Sequence, residues 1–337
     1  MRDCRVFLSA TLENERNMSF NLSDVEVKRH IYEFFRQKRE AKFSLLIMGK
    51  TGVGKSSLVN ALLGTQVATE EHKKVPGTPE VALHRVTIEG VNIGVWDSPG
   101  LEDGTGNDET YLADIGSEIT EELDLVIFCL KMDETRLNSG DRGALKRLTE
   151  RFGKNIWKNA LIALTFANKV EHPAREDKKA YFLENLASWR QVIQIFLREN
   201  LQLDPELVQS LPLVPTGYHR KPSVLPSGAN WLGKFWTACY TVARKSTAFN
   251  LYRINIARVR FPGIEEVAAI CSGSEVVPTT PGVDDSEMSP IYLDEAQQES
   301  FWNTTWEVFK EHCLSIGVVL AGVACTVGIA ILKGCAR

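Results

Sequence analysis

The sequence lacks a strong excess of either charge, any Cys-x-x-Cys pair and an apolar leader. Its 39 Lys and Arg against 43 Asp and Glu give a formal net charge of −4 over 337 residues, so there is no electrostatic reason to expect nucleic acid as a partner. Its seven cysteines lack the spacing of a zinc site or a disulfide framework, which is typical of a reducing compartment. The first ten residues contain no apolar stretch long enough for a signal peptide. These absences argue against a secreted, zinc-binding or nucleic-acid-binding protein.

The sequence does contain a complete phosphate-binding loop. Residues 49–56 read Gly-Lys-Thr-Gly-Val-Gly-Lys-Ser and match GxxxxGK[ST]. The apolar run 43–48 before the loop suits a buried strand, and residues 57–64 after it have helical spacing and end in glycine. In this context the N–H groups of the loop would surround phosphate oxygens at the positive end of a helix. The residues expected to contact the nucleotide here are Gly49, Lys50, Thr51, Gly52, Val53, Gly54, Lys55, Ser56 and Ser57.

A second phosphate-site element follows a predicted strand at 91–96. It reads Asp97-Ser98-Pro99-Gly100, a DxxG motif. We expect Lys55 to reach the β- and γ-phosphates, Ser56 and Asp97 to hold Mg²⁺, and the Gly100 N–H to contact the γ-phosphate. A switch loop also needs a hydroxyl that closes over Mg²⁺, and Thr78 in Val75-Pro76-Gly77-Thr78-Pro79 is the candidate, with Thr69 as the alternative.

The segment that would select the base allows two registers. Guanine recognition commonly uses an [NT]KxD segment after the fifth strand, and here the two candidates are Thr165-Phe166-Ala167-Asn168 and Asn168-Lys169-Val170-Glu171. We favour the first register because it lies closer to the end of the strand. Phe166 would then stack on the purine and Asn168 would accept a hydrogen bond from it. An amide in place of a carboxylate weakens this contact.

Apolar runs alternate with helical stretches along most of the chain. The runs 82–88 and 91–96 read as a hairpin, and further strands are predicted at 123–130, 160–166 and 211–214. Helices are predicted near 107–119, 139–152, 178–200 and 229–249. This alternation predicts an α/β fold, a three-layer α/β/α sandwich around a mostly parallel sheet. The expected order is a flexible leader (1–24), the nucleotide-binding domain (25–268), an acidic Ser/Pro/Gly linker (269–290), an amphipathic juxtamembrane helix (291–312) and a membrane helix (313–333).

The membrane helix is predicted from residues 314–332, which contain no charge. Their helical length of about 28 Å matches the hydrocarbon thickness of a bilayer. The alternative of a buried core helix conflicts with the absence of a polar face. We therefore expect a single-pass tail anchor with the nucleotide-binding domain in the cytosol. A mitochondrial or plastid outer membrane is favoured, and the endoplasmic reticulum is the alternative.

Two stretches resemble the septin-related GTPases. They are Glu-Thr-Arg-Leu-Asn-Ser-Gly-Asp at 134–141 and Arg-Phe-Gly-Lys-Asn-Ile-Trp-Lys-Asn-Ala-Leu-Ile-Ala-Leu-Thr at 151–165. Within that group the chain is most similar to the Toc receptor GTPases of the chloroplast envelope and next to the immunity-associated (AIG-type) GTPases. The resemblance covers roughly residues 25–250. It implies a Ras-like G domain that binds GTP or GDP with Mg²⁺, a homodimer across the nucleotide face, a C-terminal membrane helix and protein clients.

The resemblance assigns further residues. Thr216 and Gly217 fall in the final guanine loop, although the Glu and Asn that Toc members carry there are missing. Phe166 stands where Toc members have a base-contacting His. Arg136 matches an arginine that reaches the partner's nucleotide in Toc dimers.

The residue after the DxxG motif bears on hydrolysis. Leu101 stands where Ras-like enzymes have a Gln that orients the attacking water, so Glu102, Asp103 or a group from a partner would have to assist. We expect slow GTP hydrolysis, no faster unassisted than the ~10⁻⁴ s⁻¹ of a small GTPase, with Lys55, Thr78, Gly100 and Arg136 as the catalytic set. The alternatives are a GTP-bound membrane scaffold that does not hydrolyse the nucleotide and an ATP-using P-loop protein.

Overall fold

One mixed sheet organises the protein. The computed structural model describes residues 41–67, 82–97, 122–171, 174, 176–217, 225–228, 230–260, 290–301 and 303–305. Within them six strands form a sheet in the order β2-β3-β1-β4-β5-β6. The strands are β1 (Ala41–Met48), β2 (Ala82–Ile88), β3 (Val91–Asp97), β4 (Leu125–Lys131), β5 (Ala160–Thr165) and β6 (Leu213–Pro215).

The strand pattern follows from burial and from one turn. The continuous apolar runs of β4 and β5 are buried on both faces, as parallel strands between helical layers are. β3, β1, β4, β5 and β6 pair in parallel, and only β2 runs antiparallel. β2 and β3 are joined by Glu89 and Gly90, whose φ values of 49° and 69° suit a two-residue hairpin turn. The predicted hairpin and the mostly parallel α/β sheet are confirmed.

Within the described residues up to Asn255, six α-helices pack around the sheet. They are α1 (Lys55–Leu63), α2 (Ser139–Phe152), α3 (Lys178–Glu199), α4 (Pro205–Ser210), α5 (Trp231–Val242) and α6 (Lys245–Asn255). Polar side chains begin several of them: the Asn138 side chain accepts from the Asp141 N–H, and the Asn230 side chain accepts from the Leu232 N–H. α5 contacts β5, β6 and α1, and α6 contacts β1 and β3.

A buried arginine holds the end of the phosphate-loop helix. The Arg258 guanidinium donates to the Ala61 carbonyl at 2.8 Å and to the Leu62 carbonyl at 3.1 Å. These are carbonyls of the last turn of α1, where a cation is favourable. Burial lowers the pKa of Arg258 to about 10. Gly64 ends α1 with φ 75°, and a Cβ there would lie 2.7 Å from this guanidinium, so the two residues fit only as a pair.

The structure divides the helix predicted over 229–249. α5 ends at Val242, and α6 begins at Lys245. Between them Arg244 has an extended backbone, and its N–H donates to the Asp124 carbonyl at 2.9 Å. The Arg244 side chain also pairs with Asp124 at 3.4 Å. Attachment to the residue just before β4 interrupts the helix here.

The C-terminal segment packs on the domain. β7 (Val259–Arg260) pairs in parallel with β8 (Ile291–Tyr292), and helical residues 295–301 and 303–305 follow, named α7 here. Phe301 is 1% exposed, and its ring centre lies 5.0 Å from those of Tyr240 and Tyr252. The described part of the predicted juxtamembrane helix thus starts as a strand and turns Phe301 toward the domain.

The predicted membrane helix at 313–333 lies outside the described residues, as do Trp302, Trp306 and Phe309. Among the residues that the structure describes, no helix is long and apolar enough to cross a bilayer.

Truncation of Phe301 tests the packing of α7. Phe301→Ala should lower the free energy of unfolding by about 3–5 kcal/mol, because it empties a site enclosed by aromatic rings. Denaturant unfolding measures this loss. Tyr292→Ala is the matched control, since that side chain is 53% exposed. Equal losses for the two variants would show that α7 does not pack on the domain.

Candidate nucleotide-binding site

The glycine loop lies against the end of β4. Gly49 has φ 146°, and a Cβ there would lie 2.5 Å from the Cys129 carbonyl oxygen. Val53, inside the loop, is 2% exposed. Gly54 has φ 85° and begins α1, while Thr51 and Gly52 are exposed at the tip of the loop. Only glycine at position 49 allows the backbone to approach β4 this closely.

Lys55 is a buried cation inside this loop. Its side chain is 8% exposed, and its Nζ donates to the Gly49 and Lys50 carbonyls at 3.1 Å each. Burial lowers the pKa of Lys55, and the nearby carboxylate of Asp97 opposes that shift. A desolvated ammonium held by two carbonyls attracts an anion placed against the loop.

Ser56 and Asp97 form a pair of oxygen ligands beside Lys55. The Ser56 hydroxyl donates to Asp97 Oδ2 at 3.1 Å. Asp97 Oδ1 is buried and has no hydrogen-bond partner among the described residues. Burial raises the pKa of Asp97, while Lys55, the Ser56 hydroxyl and His84 act against that shift. A hydroxyl, a carboxylate and one unused carboxylate oxygen fit a Mg²⁺ ion, which prefers oxygen ligands.

Lys50 ties the glycine loop to the segment before α2. Its Nζ lies 3.3 Å from Asp141 Oδ1 and also donates to Asn138 Oδ1. The Asn138 amide in turn donates to Glu134 Oε2 at 2.8 Å. Burial raises the pKa of Asp141, and Lys50 opposes that shift. The sequence analysis assigned Lys50 to phosphate and missed this contact with the segment before α2.

A cleft lies between the beginning of α1 and the ends of β5 and β6. It is lined by Gly54, Ser57, Leu58, Thr165, Phe166, Thr216 and Gly217. The Thr165 hydroxyl donates to the Leu130 carbonyl at 3.1 Å, and the Thr216 N–H donates to the Leu164 carbonyl at 2.8 Å. Both cleft walls are therefore fixed to the sheet. Leu58 was not among the predicted contacts.

Phe166 adopts a backbone conformation that large side chains avoid. Its φ is 56°, which costs about 1–3 kcal/mol and points to a functional position. Its ring lies beside Gly54, where an added Cβ would be 3.6 Å away. The ammonium groups of Lys131 and Lys169 lie 5.0 and 4.6 Å from the ring centre. The cleft therefore has an aromatic wall with two cations on it.

Three buried polar atoms near the cleft have no hydrogen-bond partner among the described residues. They are Asn168 Oδ1, Thr216 Oγ1 and Trp231 Nε1. A Cβ on Gly217 would lie 2.8 Å from the indole nitrogen of Trp231, so the Trp231 ring packs directly against the loop that carries Gly217. Buried polar groups without partners are rare and indicate a ligand or ordered water. The sequence reading named Asn168 and Thr216 and missed Trp231.

The structure brings most of the predicted residues together. Lys55, Ser56 and Asp97 meet at one point, and Thr165, Phe166, Thr216 and Gly217 line the cleft next to Ser57. Arg136 is exposed on the loop between β4 and α2. Thr78, Gly100 and Leu101 lie outside the described residues.

The two registers for base recognition also differ in the structure. Glu171, the last residue of the second register, is exposed and pairs with Lys178 at 3.1 Å. The first register contains Thr165 and Phe166, which line the cleft. The geometry therefore favours the first.

A glycine loop between β1 and α1, an aspartate ending β3 and a cleft at the ends of β5 and β6 together define a P-loop protein of the G-domain type. The family comparison is more specific, because residues 43–203 match the model of the AIG1 family. The chain therefore contains an AIG1-type domain, which spans a little under half of its length.

Similar proteins agree with this assignment. The translocase of chloroplast 34 homolog of Chlamydomonas reinhardtii is 28% identical over 212 residues, 58% of this chain and 53% of that protein. Translocase of chloroplast 33 of Arabidopsis thaliana is 32% identical over 154 residues, 44% of this chain and 52% of that protein. The chain thus spans about half the length of these curated relatives. A crystal structure of Toc33 from Arabidopsis thaliana superposes with a TM-score of 0.52 at 21% identity, covering 67% of this chain and 91% of that one, which supports the fold.

Replacement of Asp97 tests the charge balance of the site. The raised pKa of Asp97 means that the folded state binds the proton more tightly than the unfolded state does. The contribution of this carboxyl group to stability is therefore fully present below its unfolded-state pKa of about 4 and is lost as the pH rises through its folded-state pKa. Asp97→Asn should therefore raise the Tm of the nucleotide-free protein at neutral pH, by about 2–4 °C for each kcal/mol gained. Thermal unfolding in EDTA at pH 4 and pH 7.5 measures this.

The exposed Asp133→Asn change is the control for that experiment. The gain for Asp97→Asn should shrink at pH 4. An equal gain at both pH values would show that the carboxylate charge is not its cause.

Proposed function

We propose that this protein is a GTP-binding membrane switch that hydrolyses GTP slowly with Mg²⁺ and dimerises across its nucleotide face. The main support is the placement of the buried Lys55 ammonium beside the Ser56–Asp97 pair, at one end of a cleft with an aromatic wall. Toc33 of Arabidopsis thaliana, to which the chain is similar, has been crystallised with GDP and Mg²⁺ and with GMPPNP and Mg²⁺.

Each part of the site then has a role. The loop N–H groups from Gly49 to Ser57 bind phosphate oxygens, and Lys55 binds the β- and γ-phosphates. Ser56, Asp97 and Thr78 hold Mg²⁺, which neutralises charge on the phosphates when bound. The Gly100 N–H contacts the γ-phosphate. Thr165, Phe166, Asn168, Thr216 and Gly217 hold the base.

Arg136 is our candidate for assistance from a second molecule. Its side chain is exposed, and the loop that carries it is attached to the phosphate loop through Asn138 and Lys50. Leu101 cannot orient a water molecule, and an arginine from a partner would stabilise the charge that develops in the transition state. In the chloroplast translocon components atToc33 and psToc159, dimerisation is important for GTPase activity.

The same proposal includes the membrane. Residues 313–333 form the tail anchor, the G domain (25–268) faces the cytosol, and the linker 269–290 with the segment 291–312 connects the two. The chloroplast translocase relatives favour a plastid outer membrane, on which protein clients would be received.

Loss of Lys55 tests nucleotide binding. Lys55→Ala should weaken GTP·Mg²⁺ binding by about a hundredfold or more, because it removes a buried charge that contacts phosphate. Calorimetry on the full chain measures this, and Lys178→Ala, at an exposed lysine, is the control. Displacement of labelled GTP by ATP as readily as by GTP would favour the ATP-using alternative.

Hydrolysis is tested by its dependence on protein concentration. In single-turnover assays the hydrolysis rate should rise with protein concentration. Arg136→Ala should lower the rate reached at high concentration by at least about tenfold. Arg190→Ala, an exposed arginine on α3, should have no effect. Stable GTP binding without hydrolysis at any concentration would identify the non-hydrolysing scaffold instead.

A further inference from the structure

We infer that Asn138 and Asp141 are positioning residues for Arg136, and that the Lys50 side chain attaches both of them to the phosphate loop. This inference rests on the proposed function, because Arg136 is the group that a second molecule would contribute to hydrolysis. It gives the Lys50 side chain a role toward the protein, in addition to the role of its backbone N–H toward phosphate.

The Lys50 side chain contacts the beginning of α2. Its Nζ lies 3.3 Å from Asp141 Oδ1 and also donates to Asn138 Oδ1. The side chains of Lys50 and Asp141 are only 17% and 6% exposed, so solvent screens their attraction less than it screens a surface pair. Removal of one partner from such a pair leaves an uncompensated charge. The contact therefore fixes the start of α2 to the phosphate loop.

Asn138 connects three groups through one side chain. Its Oδ1 accepts from Lys50 Nζ and from the Asp141 N–H, the latter at 3.1 Å. Its amide nitrogen donates to Glu134 Oε2 at 2.8 Å. An amide is suited to this position because it carries both an acceptor oxygen and a donor nitrogen. The hydrogen bond to Glu134 closes the segment 134–138 on itself.

Arg136 lies inside this closed segment. The next residue, Leu137, is 2% exposed, and its carbonyl accepts from Arg142 Nε at 3.2 Å. The chain is therefore fixed at Glu134 and at Leu137, on both sides of Arg136, whereas the Arg136 side chain is exposed. A displacement of about 1 Å in a group that assists catalysis can lower the rate by about a hundredfold. The contacts of Asn138 should thus matter for hydrolysis at a distance.

Replacement of Asn138 by aspartate tests the closure of the segment. Aspartate is as good a helix N-cap as asparagine and can still accept from Lys50, but it cannot donate to Glu134 and places a second carboxylate beside it. In single-turnover assays on the full chain, the rate reached at high protein concentration should fall by at least about fivefold. The rate at the lowest concentration should stay within about twofold of wild type, because no partner assists there.

Replacement of Asp141 by asparagine tests the attachment to Lys50. This change removes the charge of the ion pair with little change in shape, and we expect the same loss at high concentration. Added to Arg136→Ala, either replacement should lower the rate by less than a further twofold or so, because changes that act through one group are not additive. Glu150→Gln, in an exposed ion pair with Lys146 on the same helix, is the control and should leave the rate unchanged.

A wild-type rate at high concentration in either folded variant would overturn the inference and leave the proposed function intact. A full additional loss in the double variants would also overturn it, because these residues would then act independently of Arg136. If Asp141→Asn does not fold, Asn138→Asp decides alone. A wild-type rate that does not rise with concentration would defeat the proposed assistance by a second molecule, and with it this inference.

Discussion

The buried ammonium of Lys55 is the constraint on which the site depends. Taking this charge out of water is costly, and the two backbone carbonyls that accept from it compensate only in part, so its pKa is lowered. The carbonyls can accept from it only because Gly49 lets the loop approach β4. Asp97 is the nearby opposite charge; it is half-buried, and desolvation raises its pKa, which favours its neutral form. A triphosphate with Mg²⁺ would supply the anion and the cation that this pair lacks.

Two further connections extend from the loop into the domain. On one side Lys50 bonds to Asn138 and pairs with Asp141, which joins the phosphate site to the loop of Arg136. On the other side α1 ends on the Arg258 guanidinium, which joins it to the strand pair β7–β8. Both connections are made by buried or half-buried polar groups. The phosphate loop and its helix are therefore each fixed to a separate part of the domain.

The sequence predicted those parts that local chemistry determines. Residues that are adjacent in the sequence indicate the glycine loop, the hairpin at Glu89-Gly90 and the apolar runs of β4 and β5. Contacts across the chain could not be predicted, because nothing near Lys50 in sequence specifies Asp141, and nothing near Gly217 specifies Trp231. The helix break at Arg244 was missed for the same reason, since its cause is Asp124 in another element. Phe166 was named as a base contact, but its left-handed backbone follows from the tertiary structure.

Helix α5 connects the base cleft with the C-terminal segment. At its first turn Trp231 lies under Gly217, and Gly233 lies so close to the Tyr292 carbonyl that a Cβ would be 2.1 Å from that oxygen. Further along the helix, the Tyr240 hydroxyl hydrogen-bonds with Thr305 at 2.7 Å, and its ring contacts Phe301. The segment from 291 to 305 therefore follows α5 from its first turn toward its last. Helix α5 therefore contacts both the loop that carries Gly217 and the C-terminal segment, and close packing joins the two contacts through one helix.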